Sequence, residues 1–79
     1  MLPTRQTIIA IIADEARIEA DKLEPEATLD SLGIASLDVM SVLFVIEEKF
    51  DVIIQQEDIA ATDTLGQFVD VIFAKVAAI

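Results

Sequence analysis

Fifteen consecutive residues, Ser36-Leu37-Asp38-Val39-Met40-Ser41-Val42-Leu43-Phe44-Val45-Ile46-Glu47-Glu48-Lys49-Phe50, run without a glycine, a proline or any other turn signal. Strands centre on roughly five to six residues, so a run this long makes a poor strand despite its β-branched content. As a helix it is consistent at both ends. Ser36 can cap it, Asp38 stands in its first turn and Lys49 in its last, each placed to suit the helix dipole. In a chain of 79 residues, the rest must pack against that helix.

The flanking pattern is helical too. Thr4, with Pro3 before it, is a plausible N-cap. Ile8, Ile12, Ala16 and Glu19 then share one face that Ile9 widens, which predicts a helix from Arg5 to Ala20. A buried strand over Ile8–Ala13 is the rival reading, and the helical pattern on both sides of that run argues against it. From Asp21 to Ala35 the periodicity breaks. Pro25, Thr28, Asp30, Ser31 and Gly33 are turn residues, while Leu23, Leu29, Leu32 and Ile34 are isolated apolar anchors. A loop of that length is uncommon inside a small domain unless it is functional, and its own leucines predict an ordered connection. Further on, Gln56-Glu57-Asp58-Ile59-Ala60 predicts one or two helical turns. Thr64-Leu65-Gly66-Gln67 fits a capping box, and Leu65, Phe68, Val69, Ile72, Phe73, Val76 and Ile79 trace a last helix. The expected architecture is all-α: one domain over residues 1–79, a bundle of three long helices and one short helix, with the long loop between the first and second.

Composition narrows the chemistry. The chain has no Cys and no His, which removes disulfides, thiolate or imidazole metal sites, and Ser–His relays. Clustered carboxylates can serve as acid and base, but no Gly-rich phosphate loop or metal-ligand spacing supports an enzyme, and no metal site is assigned. The formal net charge of −10 speaks against nucleic acid, anionic membranes and self-association; it predicts a monomer whose partners offer basic patches. With 54% hydrophobic residues the chain is no disordered acidic tail. Between Glu19 and Asp63 lie twelve acids and only two bases, so that segment carries the entire net charge. The apolar run Ile8–Ala13 is too short for a membrane span or a signal peptide, and the expectation is a soluble cytoplasmic protein without stable membrane insertion.

The most informative stretch is Leu32-Gly33-Ile34-Ala35-Ser36-Leu37-Asp38, where the long loop meets a helix N-terminus. There Ser36 has two readings. It is either an N-cap, worth about 1 kcal/mol, or a hydroxyl whose phosphate ester would be favoured by free N–H groups and the helix dipole. The segment resembles the acyl carrier protein family, whose signature is Leu-Gly-x-Asp-Ser-Leu at the start of the second helix. The likeness continues through Ile46-Glu47-Glu48-Lys49-Phe50-Asp51-Val52, Gln56-Glu57-Asp58 and Thr64-Leu65-Gly66-Gln67-Phe68-Val69, so it spans nearly the whole chain.

The resemblance implies a carrier and not a catalyst. A phosphopantetheinyl transferase would esterify Ser36 with 4′-phosphopantetheine from coenzyme A, and the arm's thiol would hold acyl groups as thioesters. That would let a chain without Cys or His serve thioester chemistry. Ser31 and Ser41 are rival hydroxyls with the wrong context. One departure stands out: the family usually has Asp before the serine, and Ala35 occupies that position here, which points to a specialised carrier with a dedicated partner. By the same resemblance Leu37, Met40 and Phe44, framed by Asp38, Glu47 and Glu48, would meet acyl-loading and acyl-using enzymes that present basic docking patches. The family's usual acid early in this helix is Ser41 here. Val39, Leu43, Ile46 and Phe50 read as core. Ile46, Phe50, Ile59, Phe68 and Ile72 would converge where such carriers shelter an acyl chain. The expected cargo belongs to fatty-acid, lipid or other specialised biosynthesis. An aminoacyl or peptidyl carrier, and an unmodified acidic docking module, are the alternatives.

Overall fold

The computed structural model describes residues 4–77, so Pro3 ahead of the first cap and Ile79 at the end of the last helix lie outside the described residues. The chain forms α1 (Arg5–Ala16), a single 3-10 turn (Ala20–Lys22), α2 (Ser36–Phe50), α3 (Gln56–Ile59) and α4 (Leu65–Ala77). The described residues contain no β-strand, only an isolated antiparallel bridge between Thr28 and Thr64. The all-α bundle with three long helices and one short one is therefore what the chain adopts.

Thr4 caps α1 as expected, its Oγ1 accepting the Thr7 N–H at 3.1 Å. The helix stops at Ala16, four residues before the predicted end. Arg17 turns into the left-handed region with φ of 59°, and the Ile18 N–H reaches back to the Ala13 carbonyl at 3.0 Å. Such a stop is usually marked by Gly, which has no Cβ penalty there; with Arg in its place the sequence carries no stop signal. Glu19, expected on the apolar face, is exposed in the connection that follows.

The core is fully apolar. Ile8 and Ile12 from α1, Val42 and Ile46 from α2, and Leu65, Phe68, Ile72 and Val76 from α4 are almost completely buried, and no polar side chain is buried with them among the described residues. α1 packs on both α2 and α4, whereas α3 rests on α4. Of the α2 residues expected in the core, Leu43 and Ile46 are buried, while Val39 and Phe50 are only half-buried against it.

The loop between α1 and α2 is ordered by its anchors. Leu23 and Ile34 are buried, and Leu29 and Leu32 pack partly against the core. Its backbone also closes the N-terminus of α4. The Leu65 N–H donates to the Ala27 carbonyl at 2.8 Å, and the Gly66 N–H to the Pro25 carbonyl at 2.9 Å. The third first-turn donor, Gln67 N–H, reaches Thr64 Oγ1 at 3.3 Å. Gly66 permits this approach, since a Cβ there would sit 3.1 Å from the Pro25 oxygen. The capping box is half realised: Gln67 Oε1 accepts from the Asp63 N–H at 2.8 Å, one residue earlier than expected.

Candidate functional site

The loop delivers Ser36 through a tight turn. The Leu32 and Ile34 N–H groups bond to the Leu29 carbonyl at 3.2 and 3.0 Å, and Gly33 N–H to that of Asp30 at 3.0 Å. Gly33 has φ of 74°, a conformation that needs its missing Cβ. With Ile34 buried as the anchor, the next two residues emerge at the surface, and Ser36 is exposed.

Ser36 is not the cap. Ala35 occupies the N-cap position with extended backbone, and Ser36 is the first helical residue. Alanine offers no acceptor, so the only side-chain contribution is Asp38 Oδ2, which accepts the Ala35 N–H at 3.1 Å. Among the described residues, the N–H groups of Ser36, Leu37 and Asp38 have no hydrogen-bond partner, and neither has Ser36 Oγ. The two helix starts therefore differ. That of α4 is closed by loop carbonyls and Thr64, while that of α2 is left open with a hydroxyl beside it, an arrangement suited to a phosphate ester. The rivals are placed differently. Ser31 Oγ donates to the Thr28 carbonyl at 2.9 Å, and Ser41 lies half-buried inside α2.

The absence of a capping side chain has a measurable consequence. Ala35→Asp would supply the missing acceptor for the first-turn donors, and we expect a gain of about 1 kcal/mol. A urea melt checks this, with a higher midpoint and an unchanged slope as the expected result.

Beside Ser36 opens a cleft of about 250 Å³, lined mainly by Leu29, Val39, Ile59, Ala60 and Phe68. Of the five residues expected to converge around an acyl chain, Ile59 and Phe68 line this cleft. Ile46 and Ile72 lie deeper in the core, and Phe50 stands half-buried at the far end of α2. Leu29, Val39 and Ala60 were not in that expected set. Leu29 had shown itself only as a loop anchor, and Ala60 gave no signal. The cleft's α3 wall is held by Lys75, whose Nζ lies 3.2 Å from Asp58 Oδ2. Hydrogen bonds from Lys75 and from the Gln55 N–H hold the Asp58 carboxyl below the usual carboxylate range.

Along α2, Leu37, Met40 and Phe44 form an outward stripe, 74%, 54% and 61% exposed. Of the acids expected to frame it, Glu48 is exposed and, among the described residues, in no ion pair. Asp38 is occupied at the Ala35 N–H. Glu47 is part-buried, with its Oε2 accepting the Ile54 N–H at 2.9 Å. Sequence reasoning also passed over Ile53, 79% exposed just after α2. Its signal is alternation in an extended segment, where Val52 and Ile54 turn inward and Ile53 outward.

Residues 6–72 match the family described as the phosphopantetheine attachment site. The chain is 38% identical over 64 residues to an acyl carrier protein of Syntrophobacter fumaroxidans, covering 80% of this chain and 79% of the relative. It is 34% identical over 65 residues to an acyl carrier protein of Clostridium acetobutylicum, covering 81% and 84%. A third relative, acyl carrier protein AcpXL of Mesorhizobium japonicum, is 40% identical over 53 residues, covering 66% of this chain and 57% of the relative.

Proposed function

From the premise that this chain belongs to the acyl carrier protein family, whose members bear phosphopantetheine and are carriers rather than catalysts, we propose that Ser36 is the residue that receives the arm. The observation that carries this reading is the open start of α2, with an exposed, unbonded hydroxyl, three unpartnered N–H groups and an apolar cleft alongside. When attached, phosphopantetheine supplies the thiol on which an acyl group travels as a thioester.

The chain's own part is binding and presentation. In the loading step Ser36 Oγ forms a bond to phosphorus and gives up its proton, and adenosine 3′,5′-bisphosphate leaves coenzyme A. The sequence holds no His or Cys, so the base for that proton is a carboxylate or a group of the transferase. The first-turn N–H groups and the dipole of α2 then favour the ester's negative charge. Leu37, Met40 and Phe44 give enzymes with basic patches an apolar footing, and Glu48 gives them a free carboxylate. The protein acts on this reading as a cytoplasmic monomer in fatty-acid, lipid or other specialised biosynthesis. No helix among the described residues is long and apolar enough to cross a membrane. The relatives' names favour an acyl cargo over an aminoacyl or peptidyl one.

The test is intact mass after incubation with coenzyme A and phosphopantetheinyl transferases of broad and narrow specificity, with Ser36→Ala in parallel. The expected result is a gain of one phosphopantetheine in the wild type and none in the variant. Because Ser36 is not the cap, the variant should keep its stability within about 0.5 kcal/mol, so a lost gain reports the hydroxyl alone. No gain with any transferase would leave an unmodified acidic docking module. A gain that survives Ser36→Ala would move the attachment to another hydroxyl.

A further inference from the structure

Between two anchored residues the chain crosses open surface. Ile34 is buried, and Val39 packs half-buried against the core where it lines the cleft. Ala35, Ser36 and Leu37, which lie between them, are all exposed, so packing does not hold the stretch that carries the hydroxyl. Its place depends on hydrogen bonds instead. The Ala35 carbonyl accepts the Val39 N–H at 3.0 Å, and the Ala35 N–H donates to Asp38 Oδ2 at 3.1 Å. Held at both groups, Ala35 keeps the extended backbone, φ −86° and ψ 168°, from which Ser36 enters the helix as its first residue.

The other helix starts have more to secure them. α1 has the Thr4 hydroxyl on the Thr7 N–H, and α4 has the loop carbonyls and Thr64. α3 uses the same backward bond as α2, with Asp58 Oδ2 accepting the Gln55 N–H at 3.2 Å, but Lys75 fixes that carboxylate a second time. At the start of α2 the Asp38 bond is the one side-chain tie among the described residues. Its charge does not suit the chemistry next to it. A carboxylate two residues from Ser36 repels the phosphate group that must approach the hydroxyl.

We infer that Asp38 is a positioning residue for the loading of Ser36. Through the Ala35 N–H its carboxylate holds Ser36 at the head of α2, where Oγ can displace adenosine 3′,5′-bisphosphate at phosphorus, and it does so as a hydrogen-bond acceptor and not as a docking charge. This rests on the reading of Ser36 as the attachment residue. Helix ends fray when their polar groups are left to water. Without Asp38 the first turn of α2 opens, and the hydroxyl spends less time beside the N–H groups that favour its phosphate ester.

The experiment compares wild type, Asp38→Ala and Asp38→Asn, because asparagine keeps an acceptor oxygen and drops the charge. In the unmodified chains, hydrogen exchange at the Val39 amide reads the first turn directly. Exchange is expected to be about fivefold faster in Asp38→Ala, with at least half of that loss of protection recovered in Asp38→Asn. With coenzyme A and a broad-specificity phosphopantetheinyl transferase, kcat/KM for the chain should fall about fivefold in Asp38→Ala and follow the same recovery in Asp38→Asn. The deficit of Asp38→Ala relative to wild type should persist at 1 M salt, where charges are screened over about 3 Å. Asp38→Asn as slow as Asp38→Ala, a deficit that salt removes, or unchanged exchange at Val39 overturns the inference while the carrier reading stands. A wild-type chain that no transferase modifies overturns both.

Discussion

Phe68→Ala is expected to leave the chain largely unfolded at 25 °C. Phe68 is the bulkiest of the fully buried side chains, 1% exposed on the inner face of α4. It also forms the floor of the cleft below Ser36, where α2, α3 and α4 come together. Truncating a buried phenylalanine costs about 3–5 kcal/mol, the transfer of the ring plus the cavity it leaves. A core in a domain of this size supplies only about 3–5 kcal/mol in total, and neither disulfide nor thiolate metal site stands in reserve, since the chain has no Cys. Loss of the far-UV helical signal, or a midpoint at least about 12 °C lower, is the expected observation. Phe73→Ala is the control. Phe73 is half-buried, with the Arg5 guanidinium 5.0 Å from its ring centre, and its loss should shift the midpoint far less. Equal losses at the two positions would mean that the core does not centre on Phe68.

The contrast between these phenylalanines shows where the sequence was legible. Both fall on the apolar stripe of α4 at helical spacing, so periodicity identifies the helix and its inner side but not which ring lies at the centre. α2 was read from end to end, because fifteen residues without a breaker admit one regular element. The end of α1 was not, since Arg17 adopts the left-handed conformation that a reader expects of Gly. The closure of α4 by Pro25 and Ala27 was equally hidden. Those bonds join residues 41 and 38 positions apart through backbone atoms, and backbone atoms leave no trace in residue type.

The site divides in the same way. The open serine and the outward Leu37, Met40 and Phe44 follow from a motif and a helical wheel, which are local. Misplacing the cap by one residue is a boundary error of the usual size, yet it matters chemically: it leaves Ser36 Oγ unbonded instead of tied to a first-turn N–H. The acids were the least legible. A carboxylate that docks a partner and one that bonds a neighbouring loop look alike in sequence, and only the fold brings Ile54 back to Glu47.

That pairing gives the second large effect. Glu47→Ala is expected to destabilise the chain by about 2 kcal/mol, because it removes a charged acceptor and strands the Ile54 N–H, whose residue is buried. Glu48→Ala, one position on and exposed, should change stability by no more than about 0.5 kcal/mol. Urea melts of the two variants make the comparison, and hydrogen exchange locates it. Amides of residues 52–60 should exchange faster in Glu47→Ala only, since Glu47 fastens the segment that leads into α3. Glu47→Gln keeps a carbonyl acceptor in place and should recover about half of the loss. If Glu47 were chiefly a docking charge, the glutamine variant would melt like the wild type and weaken partner encounter instead. The 2.9 Å bond to Ile54 predicts the reverse order: the loop loosens first, and with it the α3 wall of the cleft beside Ser36.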